Sequence, residues 1–491
     1  VSPKQFGGNT RVDYIELMRL NTLTGQAEPV EAPQHATQWL LDTRGELRMV
    51  VTRHENRVTV LARERGGNWR SMSEGDSIEG PAFMPLTIAP DGTFYVRSQG
   101  PGDKTALYSL DPASGKRSDA AVLVSKDFDL NPVAVATDQA LLGWRLRVDA
   151  EVTQWIDPGM KALQAQLDRA LPTTTNRISV ARRAQTPYVL VEAFSDAQPS
   201  VHYLFHTGQK KLTKLGAAMP GIDPRRMGPM DLVRYPARDG LSIPAYLTLP
   251  PGGAKKNLPL VVLVHGGPWV RGGDWRWQPE VQFLASRGYA VLQPEFRGST
   301  GFGNKHFKAG WKQWGQAMQN DLADGARWAI AQGIADPRRI AIAGASYGGY
   351  AAMMGLVNDP DLFRCAVNWV GVTDLMLMYT AYWSDVTDES KRYGLPRLLG
   401  DPKADAEKLR SHSPLHQAAR IRQPVLMAYG GVDERVPIAH GERMRDALRA
   451  HNPAVEFIEY PSEGHGWARP ETNIDFWGRV ETFLGRHLAP R

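Results

Sequence analysis

Cysteine is almost missing from this sequence. Cys365 is the single one among 491 residues, so no intrachain disulfide can form. That composition suits a reducing compartment, and a cysteine-poor periplasmic protein would share it, so compartment stays open between the two. Flanked by Phe363, Ala366 and Val367, Cys365 reads as a buried, inert thiol and not as a nucleophile. No uninterrupted apolar run approaches the ~20 residues of a spanning helix, which excludes a helical membrane span. Blocks of like charge are absent too. Lys and Arg are scattered singly around a formal net charge of +6, which supplies solubility and argues against nucleic-acid binding. There is no His-Glu-x-x-His and no Cys/His cluster, so no metal or cofactor is expected. The chain opens Val1-Ser2-Pro3, with neither an initiator Met nor a signal-peptide pattern. Its true start is therefore expected to have been removed by processing or cloning. Composition leaves self-association into a homo-oligomer open.

What is present divides in two near residue 225. Residues 1–225 read as all-β, with short alternating runs separated by turn signals at about ten-residue intervals. Tyr14–Leu20, Arg57–Leu61, Thr93–Arg97 and Tyr188–Val191 are examples. A strand followed by a small polar turn recurs as Leu20–Gly25, Leu110–Gly115 and Phe205–Gly208. A period of about 45–50 residues is the size of a four-stranded propeller blade, and there is room for four to five. An irregular β-sandwich is the alternative. A helix over Asp157 to Leu171 interrupts the pattern. From 226 to 491, β runs alternate with amphipathic helices, the grammar of a mostly parallel sheet covered on both faces. Leu258–Val264 is a nearly unbroken apolar run, as a strand buried on both sides should be. Ala290–Gln293, Ile340–Ala343 and Val425–Tyr429 follow suit.

Gly344-Ala345-Ser346-Tyr347-Gly348 sits between the strand-like run ending at Ala343 and a helix-like run from Tyr350 to Val357. That context makes G-x-S-x-G a nucleophile elbow, in which a sharp turn lifts the serine hydroxyl above the sheet. A hydroxyl needs a base, and the base an orienting carboxylate, in the chain order Ser, Asp or Glu, His. Asp433 follows the run Val425–Tyr429, with Glu434 as its adjacent rival. His465 lies in a glycine-flanked loop after the strand Val455–Tyr460. The other downstream histidines, His412, His416, His440, His451 and His487, are expected at the surface or as helix caps. Oxyanion donors are expected from the amides of Tyr347 and of Gly267, the latter in His265-Gly266-Gly267-Pro268-Trp269.

These motifs, with Phe296–Gly303 and Asp433-Glu434-Arg435-Val436-Pro437, resemble the prolyl oligopeptidase family of serine peptidases, most closely its acylaminoacyl-peptidase branch. The resemblance implies an α/β-hydrolase domain capped by a β-propeller that filters substrates by size, acting on short peptides through Ser346, Asp433 and His465. It also implies that Arg435 binds a substrate carbonyl; the alternative is an ion pair to Glu434 or Asp433. Family propellers usually have seven or eight blades, so an N-terminal propeller segment is expected to lie outside this chain. No Glu-Glu pair occurs in the sequence, which favours blocked or internal peptides over the free-amine substrates of dipeptidyl-peptidases. Met376, Tyr379 and Trp383 are candidate walls of the substrate pocket, with a plain core role as the alternative. The other readings are a dipeptidyl-peptidase of the same family, a carboxylesterase with the same triad, and a non-catalytic propeller protein that binds partners.

Overall fold

A computed structural model describes residues 2–4, 14–64, 66–183, 185–252, 255–381 and 384–489. Two compact units form. One gathers residues up to Pro172 with Asn176–Glu192 and Tyr203–Lys214; the other takes Thr173–Thr175, Ala193–His202 and Leu215–Arg491.

The N-terminal part is built of antiparallel sheets, as the alternating runs require. Two short ladders pair Ser2–Lys4 with Tyr14–Glu16 and Met18–Leu20 with Ala27–Pro29. Four larger sheets follow, of five strands (Ala36 to Pro81), three (Phe83 to Leu110), three (Val133 to Trp155) and four (Thr175 to Ala217). The strand Arg57–Arg63 shows the period-two burial expected of a sheet with one packed face: Val58, Val60 and Ala62 are buried. They meet Met49, Phe83, Phe94 and Val96 in one cluster. The sheets are propeller-like but unequal, unlike the uniform four-stranded repeat expected. After Leu110 the polar segment to Val133 forms only isolated bridges, Leu107 to Leu123 and Leu110 to Arg117. After Trp155 a helix, Pro158–Ala170, stands where a fourth strand would be. Asp157 caps that helix by accepting the amide of Met160 at 2.7 Å, and Pro158 fills the first turn, where no amide is needed.

The second unit contains an eight-stranded sheet. Its strands are β1 (Met230–Pro236), β2 (Ser242–Thr248), β3 (Leu258–Val264), β4 (Ala290–Pro294), β5 (Ala335–Ala345), β6 (Cys365–Trp369), β7 (Val425–Gly430) and β8 (Val455–Tyr460). Their order is β1-β2-β4-β3-β5-β6-β7-β8, antiparallel through β2 and parallel from β4 onward. Successive residues of each central strand enter opposite cores. Leu260, Val262, Ile340, Ile342, Ala366, Val425 and Met427 pack with helices Ala317–Ala331, Tyr347–Asn358 and Ala439–Arg449. Val261, Ala341, Ala343, Cys365, Val367, Leu426 and Ala428 face helices Pro279–Ala285 and Pro470–Leu488. Both faces being covered explains why these strands read as continuous apolar runs. Cys365 lies fully inside, and burial pushes its thiol up to about 12, so it is inert as expected. Buried Arg297 joins the segment after β4 to Asp321 and Asp239 through paired hydrogen bonds of 2.7–3.1 Å. Among the described residues no helix is long and apolar enough to cross a membrane.

One histidine departs from expectation. His440, placed at the surface by its helical context, is 1% exposed. Its Nδ1 accepts the amide of Thr373 at 3.1 Å, and its carbonyl accepts the Thr373 hydroxyl at 2.7 Å, tying helix Ala439–Arg449 to the segment after β6. A protonated Nδ1 could not accept. Burial, reinforced by Arg443, lowers its pKa from 6.5 to about 3. Below pH 6.5 the unfolded chain therefore binds a proton that the folded chain refuses, and stability falls as pH drops toward 3. His440→Gln, which keeps an acceptor, should lose this pH dependence. Between pH 6.5 and 4 the wild type should forfeit up to about 3 kcal/mol more than the variant in urea unfolding. Identical pH slopes would refute the assignment.

Candidate active site

The turn after β5 sets the site. Ser346 has φ 58° and ψ −119°, a conformation that costs a non-glycine residue about 1–3 kcal/mol and persists only where its surroundings enforce it. They do. The amide of Ser346 donates to the carbonyl of Trp369 at the end of β6 (3.1 Å), and its carbonyl accepts the amides of Tyr350 and Val372. β3 runs close beneath. A Cβ on Gly348 would stand 2.1 Å from the Val264 carbonyl oxygen, and one on Gly344 2.5 Å from the same atom. Only glycine fits at either position, which is the physical content of the G-x-S-x-G spacing. Ser346 is left partly exposed, while Tyr347 turns inward, buried against Phe296, Trp314 and Tyr350.

Asp433 and His465 come together from loops after β7 and β8. Asp433 Oδ1 accepts the amides of Arg435 (2.8 Å) and Val436 (2.9 Å), which fixes the carboxylate and leaves Oδ2 for His465 Nδ1 at 2.8 Å. A carboxylate only accepts, so Nδ1 carries the proton and Nε2 keeps its lone pair. The Asp433 side chain is fully buried and that of His465 is 31% exposed. Glu434, the rival, is exposed. The two loops are zipped by backbone bonds from Gly431 to Tyr460 (2.9 Å) and from Val432 to Glu463 (3.1 Å). Glu463 has no motif to announce it. Its buried carboxylate accepts the amides of Ala468 (2.9 Å) and Arg469 (3.2 Å), closing the loop that carries His465. The Ala468 amide first, then the Thr472 hydroxyl and the Arg469 amide, hold its carboxyl below the usual range.

The loop after β3 lies against the elbow. A Cβ on Gly266 would be 3.4 Å from Ser346 Cβ and 4.0 Å from its Oγ. Gly267 next to it is exposed with φ 115°, and a Cβ there would meet Val270 at 2.8 Å. The amide of Tyr347 opens helix Tyr347–Asn358, among the first-turn donors that have no partner within a helix. Both expected oxyanion donors therefore belong to segments beside Ser346.

The expected substrate contacts are less uniform. The Arg435 guanidinium holds Asp385 through two bonds, 2.5 and 2.8 Å, and not the carboxylates of Glu434 or Asp433. Asp385 also donates its amide to the Glu434 carbonyl at 2.8 Å. The Asp385 bonds, opposed by partial burial, raise the pKa of Arg435. Met376 and Tyr379 are half-buried against the larger core, and the Tyr379 hydroxyl donates to the Gly400 carbonyl at 2.5 Å. Trp383 lies outside the described residues.

Residues 275–491 match the sequence family described as the prolyl oligopeptidase family. The chain is 35% identical over 457 residues to dipeptidyl aminopeptidase BIII of Pseudoxanthomonas mexicana, an alignment covering 90% of this chain and 64% of that one. It therefore spans under two thirds of that curated relative's length. Likeness to the acylamino-acid-releasing enzyme of Arabidopsis thaliana is narrower, 27% over 240 residues, covering 47% of this chain and 30% of that protein. The expected acylaminoacyl branch is thus the weaker of the two likenesses, lower in identity and in coverage. The crystal structure of a puromycin hydrolase shares the fold, with a TM-score of 0.74 at 22% identity over 96% of this chain and 72% of that one. Through residues 275–491, this chain is similar to the prolyl oligopeptidase family.

Proposed function

We propose that this chain carries the catalytic centre of a serine peptidase that cleaves short peptides through an acyl-enzyme. The observation that carries the reading is the 2.8 Å pairing of His465 Nδ1 with buried Asp433, on loops at the same sheet edge as the strained Ser346 turn. Ser346 Oγ attacks the scissile carbonyl while His465 Nε2 takes its proton. Asp433 fixes the tautomer and stabilises the imidazolium that forms. The amides of Gly267 and Tyr347 hold the oxyanion, each donor typically worth about 3–4 kcal/mol in the transition state. His465 returns the proton to the leaving amine, and water then hydrolyses the ester by the reverse path. No step calls on a metal or cofactor.

The substrate reading is release of dipeptides from free-amine peptides. The broad match to a protein named a dipeptidyl aminopeptidase supports it. The absence of a Glu-Glu pair supports blocked peptides instead, and is the narrower observation. Residues 226–491 are assigned as the hydrolase domain and 1–225 as part of a propeller that limits substrate size. Arg435, held by Asp385, is assigned to a substrate carbonyl, with Met376, Tyr379 and Trp383 near the pocket.

Ser346→Ala should leave only trace turnover of peptidyl anilides; full activity would sink the assignment. Asp433→Asn should keep the fold but lower kcat by about 10⁴, since an amide presents a donor where the imidazole needs an acceptor; a change of less than tenfold would remove Asp433 from the triad. On a panel of dipeptidyl anilides, blocked aminoacyl anilides and nitrophenyl esters, the free-amine dipeptidyl substrate should show the highest kcat/KM. Preference for the blocked anilide would restore the acylaminoacyl reading, and ester turnover without anilide turnover would indicate a carboxylesterase.

A further inference from the structure

The loop bearing Gly267 leaves β3 at Val264 and returns at Gly272–Gly273, where a buried carboxylate receives it. Glu295, directly after β4, is 1% exposed. Its Oε2 accepts the amide of Gly272 at 3.0 Å and its Oε1 accepts that of Gly273. At the other end of the loop, His265 Nε2 stands 3.7 Å from Glu295 Oε2. The His265 ring lies flat on Phe296, with centroids 4.4 Å apart. Its Nδ1 donates to the Gly266 carbonyl (2.7 Å), which leaves Nε2 to accept the Ser299 hydroxyl (3.0 Å). Contact here is too close for any side chain. A Cβ on Gly272 would fall 2.1 Å from the His265 ring, and one on Gly273 2.4 Å from Tyr246.

Glu295 is itself held by the sheet. Its amide donates to the Pro244 carbonyl in β2 at 2.8 Å, and its carbonyl accepts His306 Nε2 at 3.0 Å. Burying a carboxylate is costly unless hydrogen bonds replace its water. Here two backbone amides of a functional loop replace it, and charge-assisted bonds are about twice as strong as neutral ones. Merely closing a surface loop does not require a buried charge; fixing the direction of an amide inside that loop gains from one.

We propose that Glu295 is a positioning residue for the oxyanion donor, its carboxylate anchoring the returning end of the 265–273 loop at Gly272 and Gly273 so that the Gly267 amide points at the developing oxyanion. The inference rests on the peptidase reading above. Its test is Glu295→Gln, which preserves size but keeps one acceptor oxygen in place of two, with Glu295→Ala beside it. Active sites are counted with a fluorophosphonate so that unfolded protein does not enter the rate. Per labelled site, kcat should fall on the order of tenfold in Glu295→Gln and a hundredfold in Glu295→Ala, with KM within about twofold. Affinity for a peptidyl trifluoromethyl ketone, whose hemiketal oxyanion needs the same donors, should fall in step with kcat/KM, and affinity for a product peptide should not. Unchanged kcat per labelled site, or a raised KM at constant kcat, would overturn the proposal and leave Glu295 a structural residue. Retained turnover in Ser346→Ala would instead bring down the peptidase reading beneath it.

Discussion

The contact between β3 and the glycines around Ser346 is the constraint on which the site depends. Ser346 sits in a backbone conformation that side chains avoid, and it stays there because Gly344 and Gly348 let the Val264 carbonyl come closer than a methyl group would permit. The strain is offset by the sheet on either side, where alternate residues of β3 and β5 are buried in two separate cores. A serine raised on such a turn cannot relax without disturbing both. Strain of about 1–3 kcal/mol is small against that packing, and it keeps the hydroxyl on an accessible edge.

Register then brings the other groups to the same edge. Ala345 at the end of β5 pairs with Trp369 at the end of β6, Trp369 with Ala428 in β7, and Gly430 at the end of β7 with Tyr460 at the end of β8. The loops that follow β5, β7 and β8 therefore begin side by side, as expected for sites at the carboxyl ends of parallel strands. The pairing of Asp433 with His465 follows from that alignment and from the backbone bonds that zip the loops together. Three carboxylates besides Asp433 then brace the neighbouring segments: buried Glu463 under the His465 loop, buried Glu295 where the Gly267 loop returns, and exposed Asp385 on Arg435.

Much of the second unit was legible in the sequence because its strands, buried on both faces, are continuous apolar runs, and because the elbow demands glycines at fixed spacing. The choice of Asp433 over Glu434 came from the resemblance and not from position, since adjacent acids at a strand end differ only in which one the loop turns inward. His440 was misplaced for a related reason, since one helix face looks polar until the segment after β6 covers it. Glu295, Glu463 and Asp385 act through partners that are near in space and follow no motif. In the N-terminal part the individual strands were readable from alternation. Their grouping into sheets of five, three, three and four was not, because pairing depends on what the connecting segments do. The branch was not legible, because motifs that report the chemistry say little about the substrate.

The central claim is that Ser346 is the nucleophile. It is tested most directly by treating the wild-type protein with a fluorophosphonate and mapping the adduct by peptide mass spectrometry. One adduct per chain is expected, on the peptide containing Ser346. An adduct on a different serine, or a protein that takes up none while folded, would contradict it.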